Sequence, residues 1–208
     1  RPPAQTPAPP GRVALAFELA GGQQASGLRI LPPPKTAAKA LVNAAATAQD
    51  YLRAHLPNWQ PGTPDPRAGA GQVAKVVLAL NFTAAPAAQP YAYADQQPVF
   101  AEMPTSEKAR AEPKPVYSTR DLISQVQRQT RYPRAALVNQ EMGVAYVYFE
   151  VTETGAIEQM QVVGPASPSL DEETLRVLRT MPAAASPALL RGQPVRVYYV
   201  LPITFRIQ

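Results

Sequence analysis

Two short stretches, GRVALAFEL at 11–19 and GVAYVYFEV at 143–151, each place a glycine ahead of an alternating run that closes on Phe-Glu and an apolar residue. Successive side chains of an extended chain point to opposite sides, so Val13, Leu15, Phe17 and Leu19 share one face. Ala145, Val147, Phe149 and Val151 do the same in the second stretch. A helix would scatter these residues around its axis. The alternation therefore demands an antiparallel strand with one face buried, written twice.

The residues beyond each strand repeat as well. Turn chemistry comes first, AGGQQASG in one copy and TETG in the other, where Gly155 can supply the positive φ of a tight hairpin. Second strands are expected at Leu28–Leu31 and Ile157–Val163. Helical stretches come next. In the second copy, SLDEETLRVLRTM carries Leu170, Leu175, Leu178 and Met181, with Ser169 as N-cap and Asp171, Glu172 and Glu173 in the first turn, where the helix dipole favours negative charge. In the first copy an alanine-rich run from Lys35 to Leu56 plays this part, and Leu56-Pro57 corresponds to Met181-Pro182 as a stop. Both copies end on an apolar alternation closing on Phe, VLALNF at 77–82 and VLPITF at 200–205.

These elements give an α/β fold of the α+β type: two tandem small domains, each an antiparallel three-stranded sheet with helices packed on one face. Residues 1–10 form a Pro-rich arm, 11–82 the first, divergent domain, 83–117 a Pro-rich linker and 118–208 the second domain. Only the second copy has a helical preface. Ser118 to Asp121 can cap a helix bearing Leu122, Ile123 and Val126, and Pro133 is placed to open a further short helix.

Composition narrows the function. Proline stands at 25 and charged residues at 17% of the chain, which suits short elements and rigid connectors. With no cysteine, disulfides and thiolate metal sites are excluded. The net charge of +5 permits an anionic partner, but the arginines are scattered and no aromatic platform alternates with them, so no nucleic-acid partner is expected. No apolar run is long enough to span a bilayer, and RPPAQTPAPP at the start lacks a signal-peptide pattern. Membrane attachment is expected only through a segment outside these residues.

No catalytic constellation is present. His55 is the only histidine, which leaves a triad or a zinc site without partners, and it reads as a surface or capping residue. RAGAGQ at 67–72 precedes a strand and not a helix, so it is a loop and no phosphate cradle. No cofactor or metal is expected.

The second copy resembles the C-terminal domain of TonB-type energy transducers. The resemblance rests on Tyr132-Pro133, Gly143, Phe149, Gly155, Leu170-Asp171 and the closing V-L-P-x-x-F stretch with Val200, Leu201, Pro202 and Phe205, and PVFAEMP at 98–104 is similar to the leader of some members. The first copy resembles the same domain more distantly, through Trp59 in PNWQPG, which the second copy replaces with PAAASP. The resemblance implies a periplasmic domain that takes up a short peptide of an outer-membrane receptor by adding it as a strand to the sheet edge. It also implies an N-terminal membrane anchor and a long spacer, neither of which is seen in these residues.

Strand addition needs an unpaired edge and no side-chain chemistry. The last strand, Pro194–Phe205, is the candidate edge, with Arg196, Tyr198 and Val200 on one face and Val197, Tyr199 and Leu201 on the other, the latter either core or contact surface. Tyr132 either pins the preface to the sheet or, with Pro133, contacts the partner. The leading function is a non-enzymatic binding module engaging a TonB-dependent receptor peptide, in the periplasm or at the cell surface of a Gram-negative-type bacterium. The alternative is a secreted assembly subunit that forms a homo-oligomer or filament through edge pairing or a donated N-terminal arm. A third reading is the sensor ectodomain of a membrane protein.

Overall fold

A computed structural model describes residues 11–20, 25–33, 38–55, 73–82, 89–103, 115–116 and 118–207. The chain divides into two compact units, Arg1–Pro86 and Ala87–Gln208. The architecture is α+β: helices and antiparallel sheets in both.

In the first unit β1 (Gly11–Ala20) is followed by β2 (Ala25–Ile30), α1 (Lys39–His55) and β3 (Val73–Phe82). The sheet order is β2-β1-β3, with β1 central and ten residue pairs to β3 running from Gly11 opposite Phe82 to Ala20 opposite Val73. The alternation explains the packing. Val13 lies with Leu41 and Ala45 of α1, and Leu15 and Phe17 lie with Leu28, so the large odd-numbered side chains of β1 carry the core contacts. Helix α1 also covers the outer edge of β2: Gln49 Oε1 accepts the Ile30 N–H at 3.1 Å, and Arg53 Nη2 donates to the Leu28 carbonyl at 3.3 Å. Leu31 lies just beyond β2, its N–H donating to the Ala14 carbonyl at 2.9 Å.

The second unit runs β4 (Phe100–Ala101), β5 (Pro115–Val116), α2 (Thr119–Gln129), α3 (Arg134–Val138), β6 (Gly143–Val151), β7 (Ile157–Gly164), α4 (Pro168–Leu178), β8 (Ala188–Leu190), β9 (Gln193–Val195) and β10 (Val197–Phe205). Its principal sheet has the order β10-β6-β7, and β10 pairs with β6 along its whole length, Val197 opposite Val151 and Phe205 opposite Gly143. Odd residues of β6 and β10 enter one core with Leu122 and Val126 of α2 and Leu170, Val177 and Leu178 of α4. Val197, Tyr199 and Leu201 thus face the core, Val197 and Leu201 buried and Tyr199 partly so.

Three expectations change. Residues 83–117 are not a linker throughout. Ala94, Phe100, Met103 and Val116 are buried in the second unit's core, and Gln96 and Val99 make backbone pairs with Leu189 and Ser186. Proline density suggests a spacer, but an extended segment laid on a sheet tolerates proline equally well. The N-cap of α4 is Ser167 and not Ser169, because Pro168 occupies the first turn and Ser167 Oγ accepts the Leu170 N–H at 3.4 Å. Pro133 precedes α3 as its N-cap and does not stand inside it. The β8–β9 hairpin, which the sequence pattern does not signal, places Arg196 between two strands.

Candidate functional site

Strand β10 is an edge of its sheet, so one row of its backbone groups faces β6 and the other faces away. The Tyr198 N–H donates outward, to the Tyr91 carbonyl at 3.1 Å, and the Arg196 carbonyl accepts the Tyr91 N–H at 2.8 Å. Antiparallel pairs alternate, so the even-numbered residues Tyr198, Val200, Pro202 and Thr204 all present their backbone groups away from β6. Pro202 fits this row because its missing N–H is not one that β6 needs. At Thr204 the outward groups are taken by a side chain: Gln127 Oε1 accepts the Thr204 N–H at 3.0 Å, and Gln127 Nε2 donates to the Thr204 carbonyl at 2.5 Å. Between Tyr91 and Gln127 lie Val200 and Pro202, with no strand beside them among the described residues.

The side chains of this edge are less available than its backbone. Arg196 Nη1 stands 3.0 Å from both Glu150 Oε2 and Glu158 Oε2, and its Nε is 3.8 Å from Glu153 Oε2. Glu150 is buried and accepts the Tyr148 hydroxyl at 2.6 Å. Hydrogen bonding to Glu150 first, and then to Glu158, holds the guanidinium above its ordinary pKa. Arg196 is therefore committed to the sheet. Tyr198 stacks on Tyr148 with ring centroids 5.5 Å apart. On the opposite face Tyr199 stacks on Phe149 and donates to Gln97 Oε1 at 2.7 Å, and burial pushes its phenol pKa upward.

Tyr132 is a pin. Its ring meets Phe205 edge-on at 5.8 Å, and its hydroxyl donates to the Glu141 carbonyl. Pro133 turns the chain into α3, its carbonyl accepting the Leu137 N–H at 3.0 Å. The remaining motif residues build the frame. A side chain at Gly143 would press on Ala166, and Gly155 combines φ +84° with a carbonyl of Ala184 that would stand 2.7 Å from any Cβ. Leu170 is fully buried, and Asp171 Oδ1 accepts the Ala166 N–H at 2.9 Å, burial raising its pKa against that bond. Trp59 lies outside the described residues, as do the N-terminal arm, Pro57, Pro61 and the RAGAGQ loop.

The structure thus gathers Arg196, Tyr198, Val200 and Pro202 on one edge, closes its far end at Phe205 with Tyr132, and keeps Pro133 at the turn beyond. Sequence reasoning missed Tyr91, Gln127 and Glu150. Gln127 had no signal beyond its place on an amphipathic helix, whereas Glu150 stood in the polar phase of a strand and could have been matched with Arg196 across the register. Among the described residues no group of acidic or histidine side chains is arranged to hold a metal, and no helix is long and apolar enough to cross a membrane.

Residues 128–207 match the family model described as Gram-negative bacterial TonB protein C-terminal. No curated protein and no solved structure matches the chain. Over those residues the second unit is similar to the TonB C-terminal domain, whose family is non-enzymatic, transduces energy, is usually periplasmic and generally interacts with outer-membrane receptors.

Proposed function

We propose that this domain binds an extended peptide segment of an outer-membrane receptor by adding it to β10 as a further strand, in the periplasm. The observation that carries the reading is the unpaired stretch at Val200 and Pro202, on an edge otherwise built into a packed domain. A strand that starts there and runs along β10 gains main-chain hydrogen bonds worth about 1 kcal/mol net each, few enough for the complex to stay releasable. Tyr132 and Pro133 serve by fixing the end of β10, and Arg196 by fixing its start. Val200 is the contact residue proper.

The first unit is read as a second, diverged copy. Support comes from its order of elements: strand, strand, helix, strand, with the first strand central in the sheet and the last at an edge, as in β6, β7, α4 and β10. Self-assembly through the same edge is the competing use.

The test is titration of the chain with peptides from the N-terminal periplasmic segments of TonB-dependent receptors, followed by amide chemical shifts. Val200→Pro removes an outward N–H that β6 does not use, so the domain should keep its circular dichroism while peptide affinity falls about fivefold or more. Shift changes confined to residues away from β10, or an affinity indifferent to Val200→Pro, would refute strand addition. Light scattering that shows large species without any peptide would favour assembly.

A further inference from the structure

The far end of the β10 edge is closed by a carboxamide, not by a strand. A primary amide carries the same donor and acceptor as a peptide group. Gln127, reaching from α2, gives Thr204 both bonds that one residue of an added antiparallel strand would give it. At the near end Tyr91 does the same with its own backbone, bridging Arg196 and Tyr198 in parallel sense.

We propose that Gln127 is a displaceable stand-in for an incoming strand, and that with Tyr91 it sets the length of the docking window. This rests on the strand-addition reading, and the occupant is the same extended receptor segment. A segment that pairs only with Val200 and Pro202 leaves both stand-ins in place. One that reaches Thr204 takes over the two bonds of Gln127 and sends the carboxamide into solvent. The helix need not move for this, because α2 is held by Leu122 and Val126 in the core and Gln127 is bound to the sheet through its side chain. An edge kept closed in this way is also shielded from pairing with the wrong strand.

Amide hydrogen exchange on the full chain reads the stand-in directly. The Thr204 amide should be protected and the Val200 amide should not. Gln127→Ala should speed exchange at Thr204 on the order of tenfold, leaving Leu201 and Ile203, which face β6, unchanged. The docking probe is a capped peptide of alternating Thr and Val between terminal lysines, which offers main chain and little else. It should bind Gln127→Ala about fivefold tighter than wild type, with shift changes that extend to Thr204. Tyr91→Pro, which removes the other donor, should extend the changes towards Arg196.

Exchange at Thr204 that is already fast in the wild type, or unaltered in the variant, overturns the proposal. So does an opened Thr204 with probe affinity unchanged, which would make Gln127 a fixed structural bond while strand addition survives. Failure of the probe to bind either form sinks both readings together. Dimerisation of Gln127→Ala with no gain for the probe would replace the receptor segment with a second copy as the excluded strand.

Discussion

Phe100→Ala tests whether the residues before α2 belong to the binding domain. Phe100 is 3% exposed and meets two rings edge-on, Phe149 at 6.3 Å and Tyr199 at 5.6 Å. Withdrawing the ring forfeits its burial, about 2–3 kcal/mol. It also leaves a cavity beside the stacked Phe149 and Tyr199, which brings the usual loss for a buried Phe to about 3–5 kcal/mol. A residue in a true linker would cost within about 0.5 kcal/mol. The two expectations differ several-fold, so one titration decides between them. Urea unfolding followed at the amides of Val147 and Leu201 reports on the second unit alone. With a urea m-value of about 2 kcal/mol/M, the midpoint should drop by about 2 M. A midpoint shift below about 0.3 M would refute the reasoning and return residues 91–103 to the role of a spacer.

Two other perturbations separate frame from contact surface. Arg196→Ala should lower stability by about 1–3 kcal/mol, because the buried Glu150 carboxylate loses its charged donor; thermal unfolding measures this, and a loss of peptide affinity at unchanged stability would contradict it. Glu173 accepts Arg176 Nε and Nη2, each at 2.7 Å, and the Arg131 N–H at 2.7 Å, and hydrogen bonding to Arg176 chiefly holds its carboxylate below its ordinary pKa of 4.5. The folded state binds this proton less readily than the unfolded chain, so the stabilisation is complete above the ordinary value and is lost as pH falls through the folded one. Wild type should therefore outlast Glu173→Gln in thermal scans at neutral pH, with the gap closing as the pH falls below the ordinary value of 4.5. A gap independent of pH would show that the carboxylate's charge is not what ties α4 to Arg131.

The residues that alternate with period 2 made the sheets legible, since burial of one face fixes both element and orientation. β6 came out as read from GVAYVYFEV, and β10 kept Val197, Tyr199 and Leu201 on the core side. The edge position of β10 was likewise readable. The residues that bracket it were not, because Gln127 acts on Thr204 from 77 positions away and Tyr91 acts through backbone atoms that carry no side-chain signature. Phe100 was hidden for a different reason: the surrounding prolines match a spacer and an edge-laid strap alike. At Arg196 the sequence pointed to a contact but not to the three carboxylates, Glu150, Glu153 and Glu158, that its guanidinium meets.

The bracketed edge also constrains how the domain can hold a partner. Val200 offers one donor and one acceptor and Pro202 one acceptor, so main-chain pairing inside the window comes to about 3 kcal/mol at about 1 kcal/mol per net bond. That falls short even of the ~4 kcal/mol of a millimolar complex, before any ordering of the peptide is charged against it. Firm engagement then needs more edge than the resting domain shows. Expelling Gln127 adds two bonds but breaks two, so the gain is the carboxamide's recovered freedom and whatever the peptide's side chains find on the Tyr198 face of β10. On the strand-addition reading, an added strand is held best when it spans the whole edge, and one peeled back from Thr204 meets a competitor already tethered beside it. Pulling a bound segment from that end would free Thr204 first, where Gln127 reclaims both bonds before Pro202 and Val200 are released.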